Sequence, residues 1–226
     1  MKAKWGMMVT DGRGKLGGHV LTKNRQGAAV RTKSSPVQRR SNSQQLMKSR
    51  FTYLSQLWRN LTQTQNAAWN AAAPDYIQTN IFGDQYAPTG KNLFMLLNQN
   101  ILLGGGTVIY DPVLPVGPAA LTTFTIATNS TIAQSLTFGP SPVPADNALI
   151  IEATRPLSSG KFTAGTAFRK IAVIAAAATT PFNAFASYVA VFGTPITDKQ
   201  IFYRATPVNI TTGIKGIPLQ AHSLTS

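Results

Sequence analysis

The hydrophobic pattern of this chain changes its period at one place, the proline-rich stretch 111–118. Before that stretch, five apolar residues recur at spacings of four, three, four and three, which places them on one face of a helix. They are Met47, Phe51, Leu54, Trp58 and Leu61. After it, short apolar runs alternate with Gly, Pro, Asn and Ser turns, as in antiparallel sheets. The change predicts an α+β protein with two domains, residues 1–110 and residues 111–226.

The first domain is predicted to combine a β-hairpin with three helices. The hairpin pairs His19–Lys23 with Ala28–Lys33, and it is too small to be stable without a partner sheet or another subunit. The helices cover about 43–60, a segment from Thr62 to Pro74, and about 91–103. Thr62 and Gln65 have the spacing of a capping box. The five-residue stripe and Trp69 are the predicted helix-packing residues.

The second domain is predicted to be a two-sheet sandwich built from seven short strands. The predicted strands are Thr122–Ala127, Ser135–Phe138, Ala148–Thr154, Phe168–Ile174, Ser187–Phe192, Gln200–Pro207 and Pro218–Leu224.

Nearly all of the net charge of +14 lies in the first quarter of the chain. Residues 1–60 contain 13 basic residues and one acidic residue, a net charge of +12, whereas residues 61–226 contain eight basic and six acidic residues. So concentrated a positive charge attracts a nucleic acid or an acidic protein surface, and the sequence leaves both partners open. The candidate contact residues are Lys15, Lys23, Arg25, Arg31, Lys33, Arg39, Arg40, Lys48 and Arg50.

The sequence contains no pattern that predicts catalysis, cofactor binding or metal binding. Cysteine is absent, and the two histidines, His19 and His222, lie at opposite ends of the chain. The glycines of 12–18 do not match the spacing of a phosphate-binding loop. No apolar run reaches the ~18 residues of a membrane span. We therefore expect a non-enzymatic protein, without cofactor or membrane contact, that is made in a cytoplasm.

The N-terminal 70 residues resemble a family of small uncharacterised proteins encoded by bacteriophages and some bacteria. The likeness extends to the segments IFGD and PTGKNLF, residues 81–84 and 88–94. It implies a component of the phage virion or of its assembly. The matching residues are Gly14, Lys15, Arg31, Pro36, Gln44, Gln45, Arg50, Phe51, Trp58, Leu61, Thr62, Gln65, Ala68 and Trp69.

The segment IFYRATPVNITTGIKG, residues 201–216, is similar to the penultimate strand and turn of fibronectin type III and immunoglobulin-like domains. The resemblance implies that Tyr203 is a corner tyrosine whose hydroxyl binds the upstream backbone. The tryptophan of the early core strand is missing from this chain, and Phe138 or Phe168 would take its place.

Together these features predict a structural protein of the virion, in the head or in the head-to-tail connector. Its partners would be copies of itself and other virion proteins, with nucleic acid as a further partner of residues 1–60. Two alternatives remain open at this point. One is a packaging protein that binds nucleic acid without sequence specificity, and the other is a host-attachment module with exposed loops such as Ser158–Thr166.

Overall fold

The structure, a computed structural model, describes residues 2–3, 12–34 and 40–226. It contains four α-helices and several antiparallel sheets within these residues, which confirms the α+β class. The chain divides into two compact units, Met1–Met95 and Leu96–Ser226. The domain boundary predicted after residue 110 stays a prediction. Among the described helices, none combines the length and apolar character needed to cross a membrane.

Four antiparallel strands form the sheet of the first unit, in the order β1-β4-β3-β2. The predicted hairpin is confirmed as β3 and β4, which pair from Asn24 and Gly27 outward. The Asn24 side chain accepts a hydrogen bond from the Gln26 amide at 3.0 Å, and Gly27 has a φ of 102° that favours glycine. The strands are β1 (Lys2–Ala3), β2 (Gly14–Leu16), β3 (His19–Asn24) and β4 (Gly27–Thr32).

The three predicted helices are confirmed as α1 (Asn42–Asn60), α2 (Gln63–Ala72) and α3 (Gly90–Gly104). Both α1 and α2 begin with a capping box, which satisfies amide groups that the first turn leaves without partners. A short 3-10 turn, Ala73–Asp75, follows α2. The connection to α3 contains a small ribbon of two strands, β5 (Gln78–Thr79) and β6 (Gln85–Tyr86).

Aromatic side chains join the three helices of the first unit. The ring of Phe94 lies 5.5 Å from Trp58 and 5.4 Å from Trp69, measured between ring centroids. Leu54 and Leu93 are fully buried in the same unit. At the start of α3, Gly90 lies against Asn70 of α2, where a Cβ atom would come within 2.6 Å of the Asn70 side chain. Trp58, Trp69 and Phe94 therefore form the centre of this small core.

The second unit contains two antiparallel sheets that share one core. One has the order β10-β13-β9-β11 with β14 also paired to β13, and the other has the order β12-β8-β7. Six of the seven predicted strands are confirmed, as β7, β8, β9, β11, β13 and β14. The strands are β7 (Thr123–Asn129), β8 (Gln134–Gly139), β9 (Asn147–Ala153), β10 (Leu157–Ser158), β11 (Arg169–Ile174), β12 (Phe182–Asn183), β13 (Lys199–Asn209) and β14 (Leu219–Leu224).

The strand predicted at Ser187–Phe192 is wrong, because this segment is the helix α4 (Phe185–Phe192). The strand was predicted because a short apolar run lies here between turn residues. However, Ala184 and Tyr188 are fully buried in the core, and they lie four residues apart, which is the spacing of one helical face. The Asn183 side chain accepts a hydrogen bond from the Phe185 amide at the start of this helix.

The tyrosine corner expected at Tyr203 is also wrong. Tyr203 is fully buried, but its hydroxyl has no hydrogen-bond partner among the described residues. The hydroxyl of Tyr188, on α4, instead donates to the backbone carbonyl of Thr154 at 3.1 Å. Of the two phenylalanines proposed to replace the missing tryptophan, Phe138 lies in the core, whereas Phe168 is only half-buried and lies outside that cluster.

Hydrogen bonds hold the last turns of α3 within the second unit. Asn98 exchanges two bonds with the backbone of Ile109, at 2.8 and 3.1 Å. The buried Asn100 donates to the carbonyl of Gly213 at 2.8 Å. Lys170 donates to the carbonyl of Leu103 at 2.9 Å, which places a positive charge at the C-terminal end of the helix. These contacts fix the helix end where the long connection to the β-strands begins.

Candidate partner interface of the N-terminal unit

The sheet β1–β4 has a face on which basic side chains are exposed. Lys15, Val20 and Arg31 pair across β2, β3 and β4, so their side chains point to the same side. Lys15 and Arg31 are two strands apart, about 10 Å, and both are exposed. We call Lys15, Val20 and Arg31 the basic face. Its shape and charge suit a polyanion that lies across the strands.

The opposite side of this sheet carries four apolar residues together with His19, Lys23 and Thr32. The apolar residues are Leu16, Leu21, Ala28 and Val30, which we call the apolar face. Leu16 is 69% exposed, Leu21 and Val30 are half-buried, and Ala28 is the only buried side chain among those described in the sheet. A sheet of this size needs an apolar layer on one side for stability. The apolar face is therefore a candidate contact surface.

The other predicted basic residues do not join the basic face. Lys23 points to the side of the apolar face, and Arg25 lies in the hairpin turn. Lys33 follows β4 directly, and Arg40 precedes the first residue of the α1 capping box. Lys48 and Arg50 lie on α1, and Arg39 lies outside the described residues. Seven of the nine are exposed and Arg50 is half-buried, so the charge is spread over the unit rather than gathered in one site.

The apolar stripe of α1 is buried along only half of its length. Leu54 is fully buried and Leu61 is 8% exposed, as the predicted role in helix packing requires. The first two residues of the same stripe differ, because Met47 is 46% exposed and Phe51 is 62% exposed. The packing role predicted for these two residues stays a prediction, because each keeps a large exposed fraction within this chain. One helical face thus continues from the core of the unit onto its surface.

A shallow hollow runs along the flank of α1 beside this exposed part of the stripe. It has a volume of about 230 Å³, and Phe51 forms one end of its lining. Leu46, five residues before Phe51 on α1, is 52% exposed, and Arg50 is half-buried. An apolar side chain of a partner could enter the hollow beside Phe51. Leu46 lies outside the stripe, because consecutive residues of a helix face different directions, and the sequence pattern did not single it out.

No group of three or more His, Asp or Glu side chains in the described ranges is close enough to hold a metal ion. His19 is exposed on the sheet, and His222 stacks on Phe202 with ring centroids 5.0 Å apart. Glu152 forms a salt bridge with Arg204.

The sequence matches no model of a known protein family, and it has no significant match among curated proteins. The phage and immunoglobulin-like resemblances therefore remain predictions.

Proposed function

We propose that this chain is a non-enzymatic structural protein of a bacteriophage virion, present in many copies in the head or the head-to-tail connector. The observation that carries the proposal is the α1 stripe, which is buried at Leu54 and Leu61 and exposed at Met47 and Phe51. An apolar face that continues beyond the core of its own unit suits a subunit that is completed by a neighbour. The phage assignment rests on the resemblance of the first 70 residues.

The energetics require more than one contact surface. Burying an exposed leucine or phenylalanine contributes about 1.5–3 kcal/mol, and association costs about 4–15 kcal/mol. Met47 and Phe51 together stay below or near that cost. The apolar face of the sheet, with Leu16 at 69% exposure, adds the further area that a stable interface needs. Both surfaces are therefore part of the proposed interface.

The net charges of the two units indicate which part of a neighbouring copy the N-terminal unit can approach. Residues 1–95 contain 14 basic and three acidic residues, a net charge of +11, whereas residues 96–226 contain seven basic and four acidic residues, a net charge of +3. Two N-terminal units would repel each other, but the C-terminal unit of another copy is nearly neutral. We therefore infer head-to-tail packing of the N-terminal unit on the C-terminal unit of the next copy. Such an interface closes into a ring when the rotation allows it.

The immunoglobulin or fibronectin type III character of the second unit belongs to the same proposal. Antiparallel sheets that share one core support it. The helix α4 and the unbonded hydroxyl of Tyr203 are departures from the usual pattern of that fold. Domains of this kind serve as assembly modules, and that analogy rests on fold alone.

The test is the mass of the purified protein by light scattering, at increasing concentration. We expect a defined oligomer for the natural chain and a shift toward monomer for Met47→Ser and Phe51→Ser. Ile81→Ser is the matched control, because Ile81 is 73% exposed in the same unit but lies outside α1. A natural chain that stays monomeric at high concentration, or a control that dissociates as readily as Phe51→Ser, would contradict the proposal.

A second candidate function, nonspecific binding of nucleic acid during packaging, is favoured by the basic face. Lys15 and Arg31 are exposed in one row across the sheet, and phosphate contacts of this kind carry no sequence code. This candidate is compatible with a virion role, because a subunit that lines the particle also meets the genome.

A further inference from the structure

A cleft in the second unit has the character of a ligand site, and it does not involve the surfaces discussed above. Its volume is about 490 Å³, within the ~300–1,000 Å³ range typical of sites for small molecules. It lies between the beginning of β11 and the end of α4. The side chains that matter for its chemistry are Arg155, Thr166, Phe168, Arg169 and Phe192.

Two arginines at the cleft have charges that no described carboxylate neutralises. Arg155 and Arg169 are exposed, and neither forms a salt bridge within the described part of the chain. The guanidinium of Arg169 lies 5.8 Å from the ring centroid of Phe192, a cation–π distance. That contact orients Arg169 while it leaves the hydrogen-bonding groups of the guanidinium available. Arginine in this state binds carboxylates through two parallel hydrogen bonds.

The acidic residue nearest to this region in the sheet is already engaged. Glu152 accepts a hydrogen bond from Nε of Arg204 at 2.7 Å and forms a salt bridge with the same guanidinium. Arg204 in turn lies 4.3 Å from the ring centroid of Phe168. Arg204 therefore covers one face of the Phe168 ring, and its guanidinium neutralises the charge of Glu152. Arg155 and Arg169 remain the uncompensated charges of the cleft.

The C-terminal end of α4 carries a partial negative charge, which is smaller than the positive charge of the two arginines. The last residues of the helix, Val191 and Phe192, contribute to the lining. A helix C-terminus is equivalent to about half a negative charge, whereas Arg155 and Arg169 carry two full positive charges. The electrostatic potential in the cleft is therefore positive. The aromatic rings and the Thr166 hydroxyl of the lining suit the uncharged part of a ligand.

From this geometry we propose that the cleft binds a small ligand in which a carboxylate is attached to a ring, either an acidic sugar or an aromatic acid. Arg155 and Arg169 bind the carboxylate, and Phe168 and Phe192 contact the ring. The proposal stands apart from the virion assignment, since it concerns a site in the second unit and does not depend on association of copies.

The experiment titrates the full-length protein with glucuronate and with benzoate, followed by NMR chemical shifts or calorimetry. We expect at least one of them to bind with a dissociation constant of about 1 mM or tighter. Glucose and benzamide, which retain the rings without the charge, should bind at least about tenfold more weakly. Tighter binding of glucuronate would indicate an acidic sugar as the ligand, and tighter binding of benzoate would indicate an aromatic acid.

Substitutions assign the binding to the cleft. Arg155→Gln and Arg169→Gln should each lower the affinity for the bound acid at least about tenfold. Lys215→Gln is the control, because it makes the same charge change at an exposed site outside the lining, and it should leave the affinity unchanged. If Arg169→Gln loses its fold, Arg155→Gln alone decides. The proposal is overturned if neither acid binds, if the neutral analogues bind equally well, or if inorganic phosphate binds as tightly as the preferred acid.

Discussion

Two buried tyrosines of the second unit differ in one hydrogen bond, and this difference sets how each contributes to stability. The hydroxyl of Tyr188 donates to the Thr154 carbonyl at 3.1 Å, whereas that of Tyr203 has no partner among the described residues. A buried polar group without a partner costs about 1–3 kcal/mol. Tyr203 is thus an unfavourable position for a hydroxyl.

We predict opposite effects for two identical chemical changes. Tyr203→Phe should raise the free energy of unfolding of the second unit by about 1 kcal/mol, because it removes a buried hydroxyl that has no partner among the described residues. Tyr188→Phe should lower it by about 1–2 kcal/mol, since the Thr154 carbonyl loses its buried donor. Urea unfolding followed by tyrosine fluorescence measures both, and equal effects of the two changes would contradict the assignment.

The same tyrosines give the second unit a pH dependence. Burial raises the pKa of both hydroxyls above the usual value of 10.0, so the unfolded chain releases these protons at a lower pH than the folded one. The contribution of these two protonated hydroxyls to the free energy of unfolding is therefore fully present below about pH 10, and it decreases as the pH rises above that value. The Tyr→Phe variants should flatten this alkaline decline in pH-dependent urea unfolding.

At the scale of elements, α1 separates two kinds of apolar residue along one stripe. Leu54→Ala should destabilise the first unit by about 2–5 kcal/mol, because the side chain is fully buried. Phe51→Ala, one turn earlier and 62% exposed, should change the stability of the dilute protein by less than about 0.5 kcal/mol. Guanidinium unfolding at low protein concentration provides the comparison. Similar losses for both would mean that Phe51 is packed within its own unit.

The elements also show what could be predicted from the sequence. Helices α1 to α3 and the hairpin were predictable because local signals agree: a stripe at helical spacing, the capping pair Thr62 and Gln65, and turn residues between short strands. Helix α4 was missed because its last five residues form a continuous apolar run, which fits a short buried strand as well as a helix. The four-residue spacing of Ala184 and Tyr188 was the available signal, but only burial shows that these two residues define the inner face.

The candidate sites were less predictable than the elements that carry them. The nine cations were evident from composition, but the pairing of Lys15 with Val20 and Arg31 depends on strand register. The packing role of Met47 and Phe51 followed from periodicity, which cannot show where the covering layer ends. The cleft was invisible to the sequence, because Arg155, Phe168 and Phe192 meet only through the pairing of β9 with β11 and the placement of α4.

At the scale of the whole molecule, salt should separate the two proposed contacts. Binding to duplex DNA should weaken steeply as salt rises, because it releases counterions, whereas self-association through apolar surface should persist. Lys15→Gln together with Arg31→Gln should lower the slope of log K against log salt by about two. Lys161→Gln with Lys215→Gln is the matched control in the other unit. Equal slopes for both pairs would remove the basic face from the DNA contact.

The two faces of the small N-terminal sheet differ in chemistry, since Lys15 and Arg31 lie on one side and most of the apolar residues lie on the other. A surface that holds a polyanion on one side and an apolar subunit on the other rewards the simultaneous presence of both, because the first contact raises the effective concentration of the second. Lys15 and Leu16 are adjacent in sequence and point to opposite sides of the sheet. If both proposed contacts are made, the sheet would therefore bind more firmly where the two partners are present together than where either is present alone.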